Sequence, residues 1–321
     1  MGDYILDIDS GDRNTNLFPD VSNLEIYLEN EIYDVSKISL ISGNIPTPQL
    51  TICETNKQFD VNGSTITLSE KNYTDGTTLA ADLKTKLAAT PVSNVVYNSD
   101  TDSLTFSGSS AFTFKFKTGT NGSDINNPLT TPHEVLGFPA SDVSSSGNVI
   151  QSGAINLNGP NALLLRLTCG SDVYSKDIYY NNPHYTGKIH LQQGDSSKFV
   201  NSDDLVEYDF NSGVQSTLQN LRLEFLYSSG GKLVPYDFRN SNYSLKFKIK
   251  CSKEKIVSKV KRDVSLPPPI SIPEFDDVDR WDWHRYRVYL AIAIIVIMGI
   301  FTIYVTRPKA KPVPTNTPST G

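Results

Sequence analysis

Hydrophobic and polar residues alternate through most of residues 1–252. Leu24, Ile26 and Leu28 are separated by Glu25 and Tyr27, Ile38 and Leu40 by Ser39, Ile66 and Leu68 by Thr67, and Leu104 and Phe106 by Thr105. The same spacing recurs at Phe112, Phe114 and Phe116, at Leu163, Leu165 and Leu167, at Leu221, Leu223 and Phe225, and at Leu245, Phe247 and Ile249. A period of two places one apolar face on a half-buried sheet. Asn62-Gly63, Asn121-Gly122, Asn158-Gly159-Pro160 and Gly230-Gly231 mark turns between such segments. One stretch departs from the pattern: Leu79, Leu83 and Leu87 recur every fourth residue, which predicts an amphipathic helix over 77–89, stopped by Pro91. The body is therefore expected to be all-β, a sandwich or jelly roll, either one large unit or two in tandem. The polar run Asp142–Gly147 is its natural seam, dividing it into 1–145, with the helix, and 146–252. Thr118–Pro132 reads as a long loop.

Residues 288–306 abandon alternation altogether. These 19 residues carry no charge, and as a helix they reach roughly 28 Å, close to the hydrocarbon thickness of a bilayer. Val288, Leu290, Ile292, Ile294, Ile295, Val296, Ile297, Ile300, Phe301 and Ile303 would face lipid as a membrane anchor. Trp281, Trp283 and Tyr304 sit where aromatic rings prefer the interface, and Arg285, Arg287 and Arg307 can reach headgroups. Basic residues balance on the two sides, so orientation rests on the N-terminus, which lacks the basic start and apolar run of a secretory signal. The expectation is a body kept in the cytosol, with residues 307–321 carried across as an unfolded tail rich in Pro and Thr.

Between body and anchor, residues 253–287 read as a tether. Lys253, Lys255, Lys259, Lys261 and Arg262 form a basic run; Pro267, Pro268, Pro269 and Pro273 favour extended chain; Glu274, Asp276, Asp277 and Asp279 follow. The net charge of −6 conceals a division, because residues 1–252 carry −10 and the remainder +4. An acidic body is unsuited to gripping phosphate backbones, so no nucleic-acid partner is expected.

Little in the sequence points to catalysis. Asp7, Asp9, Gly11 and Asp12 superficially resemble a calcium loop, but an EF-hand needs Gly where Asp12 stands and Glu where Phe18 stands. The four histidines are scattered, no nucleophile elbow or phosphate loop occurs, and Cys53, Cys169 and Cys251 show no metal or redox spacing. No catalytic, metal-binding or cofactor-binding residue is assigned. Sequons at Asn62, Asn72, Asn121 and Asn242 read as turn residues, and the Tyr-rich segment Tyr174–Tyr185 as an exposed loop or interface.

The ordered motifs carry a more specific signal. YILDIDSGDRN, with Asp9, Ser10, Asp12 and Arg13, is followed by SNLEIYLENEIYDVSKISLISGNIPT and NKQFDV. Then come Asn72-Tyr73-Thr74, VVYNSDTDSLTFS, Leu136-Gly137-Phe138, TGKIHL, and NLRLEFLYSSGGKLVPYDFRNSNYSLKFKI. This series resembles minor capsid and virion structural proteins of nucleocytoplasmic large DNA viruses, the chlorella-virus type among them. The resemblance implies a non-enzymatic β-rich protein beneath a shell of major capsid protein, in contact with that protein and with other minor capsid proteins. The long loop and the anchor depart from the family's pattern. Together the readings predict a virion protein that docks under the shell and tethers it to an internal lipid bilayer. The competing expectation is a tail-anchored module recognising carbohydrate or protein, and a hydrolase ranks below it. Asp9–Arg13 either pairs Asp with Arg across a turn or meets a partner; the capping tendency of Asp and Ser favours the local role.

Overall fold

The alternating segments form strands, and one is far longer than its alternation alone implies. The structure is a computed structural model that describes residues 3–178, 184–192, 196–200, 206–210, 215–252 and 283–306. It divides into two units, Met1–Lys255 and Ile256–Gly321. In chain order the strands are β1 (Tyr4–Asp9), β2 (Asn23–Pro46), β3 (Gln58–Val61), β4 (Ser64–Thr67), β5 (Val92–Asn98), β6 (Ser103–Gly108) and β7 (Thr113–Lys115). They continue with β8 (Val143–Ser144), β9 (Val149–Ala154), β10 (Ala162–Cys169), β11 (Asp172–Val173), β12 (Asp177–Ile178), β13 (His184–Tyr185) and β14 (Gly187–His190). The last are β15 (Ser196–Val200), β16 (Glu207–Asp209), β17 (Gln215–Ser229), β18 (Lys232–Pro235) and β19 (Ser244–Cys251). The α-helices are α1 (Gly76–Lys86) and α2 (Trp283–Thr306).

A ten-stranded antiparallel sheet is organised about β2, in the order β1-β19-β2-β17-β10-β11. The first half of β2 pairs with β17, from Asn23 opposite Glu224 to Val35 opposite Gln215. Its second half pairs with β19, from Val35 opposite Cys251 to Asn44 opposite Ser244. Beyond β17 on the same edge, β16 and then β15 take over the pairing at 37–39 and 42–46. Leu163, Leu165, Leu167, Leu221, Leu223 and Phe225 from one arm share a buried cluster with Ile38, Leu40, Leu245, Phe247 and Ile249 from the other. One core shared by both arms requires the sheet to fold over at β2, which gives the sandwich its two layers.

The residues between β2 and β10 form an insertion with its own core. β4-β3-β7-β8 make one small sheet and β5-β6-β9 another. The helix α1 packs on β5 and buries Leu79, Ala80 and Leu83. Asp75 caps it, accepting from the Thr78 amide at 2.8 Å. The helix ends at Lys86, short of residue 89, with Leu87 as its C-cap, and Leu87 is itself fully buried. Phe59, Phe106, Phe112, Phe114, Phe116 and Phe138 fill the centre of this second cluster.

The division at 145/146 does not match this architecture. Residues on both sides of it belong to the insertion, since β8 pairs with β7 and β9 pairs with β6. The physical reason is that Ser145 and Ser146 continue the pairing: the Ser145 amide donates to Phe112 O at 2.9 Å, and Ser146 bridges to Val149. The polar run is a turn between strands and not a boundary.

Phe114 is fully buried and lies 4.9 Å from Phe106 and 5.3 Å from Phe112, centroid to centroid. Phe114→Ala is expected to cost about 3–5 kcal/mol in chemical denaturation of the full chain, whereas Leu17→Ala, at an exposed position, should stay within about 0.5 kcal/mol.

Candidate functional site

β1 runs directly into a single 3-10 turn, Ser10–Asp12, capped by Asp9, whose carboxylate accepts from the Gly11 amide at 2.8 Å. Ser10 is fully buried. Its amide donates to Tyr243 O at 3.0 Å, and its hydroxyl accepts from the Tyr243 amide at 2.8 Å. Arg13 extends the same knot, donating to Ser10 O at 3.0 Å, Phe18 O at 3.1 Å, Pro19 O at 3.4 Å and Asn242 Oδ1 at 3.2 Å. Within the chain the expected Asp–Arg pair is replaced: carbonyl and amide oxygens hold the guanidinium, and Asp9 serves as a cap. Asp9 and Asp12 are exposed and line a surface cleft of about 350 Å³ with Asp7, Glu25 and Tyr27.

Leu136-Gly137-Phe138 lies in the insertion. Leu136 and Phe138 are buried, and Phe138 stacks on Phe116 with centroids 5.3 Å apart. Gly137 has φ +75°, and a Cβ there would meet the carbonyl oxygens of Gly153 and Ala154 at 2.6 Å. This position therefore accepts only glycine without moving the backbone.

The same loop carries His133, which sequence pattern left among the scattered histidines. Its Nδ1 lies 2.9 Å from Thr131 Oγ1, and its Nε2 is buried without a hydrogen-bond partner. Burial lowers its pKa from 6.5 to about 4. Burial also raises Glu134, whose Oε1 lies 3.8 Å from His133 Nε2 and accepts from the Gly230 amide at 3.2 Å. Lys232 Nζ, lowered by burial, donates to Asn121 O, Asn127 Oδ1 and Leu129 O at 3.3, 3.2 and 2.9 Å. The long loop from Thr118 is thus ordered around a lysine more than a hundred residues away.

Other assignments from sequence resolve differently. Tyr174 and Tyr185 are buried, with Tyr174 stacked on Tyr208 at 5.1 Å, so these two tyrosines serve the core and not an interface. Tyr179 and Tyr180 lie outside the described residues. Asn62 and Asn121 adopt positive φ, while the Asn72 and Asn242 side-chain oxygens accept from Thr51 and Arg13. The tether prolines Pro267, Pro268, Pro269 and Pro273 also lie outside the described residues, as do Trp281 and Arg307. Among the described residues, no group of three or more His, Cys, Asp or Glu side chains is arranged to hold a metal ion.

In the second unit, Tyr286–Thr306 is long and apolar enough to cross a membrane, and none of its apolar window is buried. Every anchor residue named from sequence, Val288 through Ile303, is exposed. Backbone position puts Trp283, Arg285 and Arg287 in the first turns and Tyr304 in the last. Thr302 Oγ1 donates to Met298 O at 2.7 Å and Thr306 Oγ1 to Thr302 O at 2.6 Å. The two threonine hydroxyls of the helix are thereby satisfied by its own backbone.

Comparison with known proteins gives a limited result. No family model matches the sequence, and no curated protein matches it. Among solved structures, the mavirus penton protein aligns at 10% identity and TM-score 0.36, over 78% of this chain and 100% of its own. A chain of the Sputnik virophage, solved by cryo-EM, aligns at 13% identity and TM-score 0.37, over 78% and 98%. Both likenesses are slight. They record viral structures as neighbours and transfer no function.

Two outcomes follow from the site chemistry. Ser10→Ala removes the acceptor for the buried Tyr243 amide and should cost about 1–3 kcal/mol in chemical denaturation. For His133, the folded pKa lies below the unfolded one, so the unfolded chain binds more protons between pH about 6.5 and about 4. The stability His133 supports is therefore complete above that window and lost as pH falls through it. Denaturation midpoints of His133→Gln should fall less steeply across this window than those of the natural chain.

Proposed function

We propose that the chain is a non-enzymatic structural protein of a virus particle, a minor capsid protein that docks under the major capsid shell and tethers it to an internal membrane. The observation that carries this reading is α2, an apolar helix of membrane-spanning length with no buried residue in its apolar window. A helix of that composition would bury its side chains if it served a soluble core. The ordered motifs supply the viral part of the reading through their resemblance to virion proteins of nucleocytoplasmic large DNA viruses. A β-sandwich body with separate cores supplies rigid area for protein contacts and suits the role.

In this reading, major capsid protein and other minor capsid proteins contact the body, and the bilayer holds Val288–Thr306. The body is made in the host cytosol and lies in the virion between shell and membrane, while residues 307–321 cross. The proline-rich segment with Pro267, Pro268, Pro269 and Pro273 is the tether that sets the gap between the two layers in this reading. Clustered lysines and arginines are confined to the end of the chain near the anchor. They suit anionic lipid headgroups better than nucleic acid.

Locating the chain in purified particles by cryo-microscopy tests the proposal: density between shell and membrane is expected, and absence from particles or a position outside the shell would overturn it. The anchor is tested separately by Ile297→Arg. A charge at the centre of the span should weaken insertion by about 2.5–3.5 kcal/mol, seen as release of the variant, but not the natural chain, on carbonate extraction of membranes.

A further inference from the structure

We propose that the insertion, residues 51–157, is a hinged module held against the sandwich by a releasable polar latch at the tip of the β17–β18 hairpin. The inference stands on the geometry of the body and does not depend on the viral reading.

Both ends of the module leave through one neck. Thr51 Oγ1 donates to Leu157 O at 3.2 Å, so the two connecting segments, 47–50 and 158–161, start side by side. Each contains a proline, Pro48 and Pro160. A cleft of about 110 Å³ lies at the neck, lined by Thr47, Gln49, Asn158, Pro160 and Asn161 with Tyr236 of the sandwich. The backbone there has room to turn.

Away from the neck, the module and the sandwich share no buried apolar cluster, since their cores are separate. Hydrogen bonds recur across the contact, with Thr55 Oγ1 3.0 Å from Tyr227 Oη on β17. Thr130 Oγ1 lies 3.0 Å from Ser229 Oγ, the Gly230 amide donates to Glu134, and Lys232 is held by three neutral oxygens of the module. Opening such a contact exchanges hydrogen bonds for water and leaves both apolar cores intact, a condition for domain motion. The fit at the tip is close: Gly230 has φ +57°, and a Cβ there would lie 2.5 Å from Ala140 Cβ and 2.9 Å from His133 Nε2. The latch can therefore be opened from two directions, by removing the ammonium with Lys232→Met or by adding a methyl group with Gly230→Ala.

Amide hydrogen exchange of the full chain in detergent micelles reads the outcome. In both variants, exchange should rise about tenfold or more in residues 118–140, 228–234 and the neck, while β6, β10 and β19 keep their protection. A Thr130→Cys/Ser229→Cys pair, oxidised in the Gly230→Ala background, should return exchange in those segments to the natural level, and reduction should raise it again. Exchange unchanged in both variants would overturn the latch. An equal rise in β6, β10 and β19 would overturn the hinge, because the body would then open as one cooperative unit. A crosslinked pair that failed to restore protection would place the motion elsewhere and overturn the proposal.

Discussion

The sandwich hangs on the hydrogen-bonding edges of one strand. β2 spans 24 residues and pairs with β17, β19, β15 and β16. A strand that serves four partners cannot stay flat and in register. Register shifts occur between Leu218 and Asn220 on β17, and between Lys246 and Phe247 and between Lys250 and Cys251 on β19. Asp34 has φ +56° next to Val35, where β17 and β19 both pair with the strand. These irregularities are the bends that let one sheet wrap a single core. Lys37 fastens the next partner, β16, through Glu207 at 2.7 Å and Asp209 at 3.3 Å.

The second constraint is how the insertion is attached. Because it enters and leaves between β2 and β10, it contributes no strand to the large sheet and interrupts none of that sheet's pairs. The chain thus separates two tasks. Apolar packing gives each part its own core, and hydrogen bonds at the Gly230 hairpin are among the contacts where the parts meet.

Alternation showed which residues face a core, and the structure buries Leu163, Leu165, Leu167, Leu221, Leu223, Phe225, Leu245, Phe247 and Ile249 accordingly. The helix at Leu79 and the apolar run from Val288 were equally legible, since each has a period or composition of its own. Pairing was not, because alternation assigns a face and not a neighbour. Glu29-Asn30-Glu31 and Gly43 look like breaks between short strands, yet both lie inside β2. The insertion was hidden for the same reason, with Ser145 and Ser146 passing for a linker. Motif chemistry was hidden by distance: Ser10 bonds to Tyr243, 233 positions away. Lys232 bonds to Leu129 across 103. No local pattern records either.

The antiparallel pair formed by β1 and β19 has a consequence in time. The first strand of the body finds its neighbour only when Ser244–Cys251 has been made, and β2 waits for the same segment and for β17. The module between them needs only residues 51–157 and so can fold during synthesis, ahead of the sandwich that surrounds it in sequence. The roughly 55 residues from Cys251 to Thr306 add about 3–11 s at 5–20 residues per second. Sheets of long-range pairing fold in milliseconds to seconds. The sandwich therefore has time to bring β1, β2 and β17 to their partners before the apolar helix is complete.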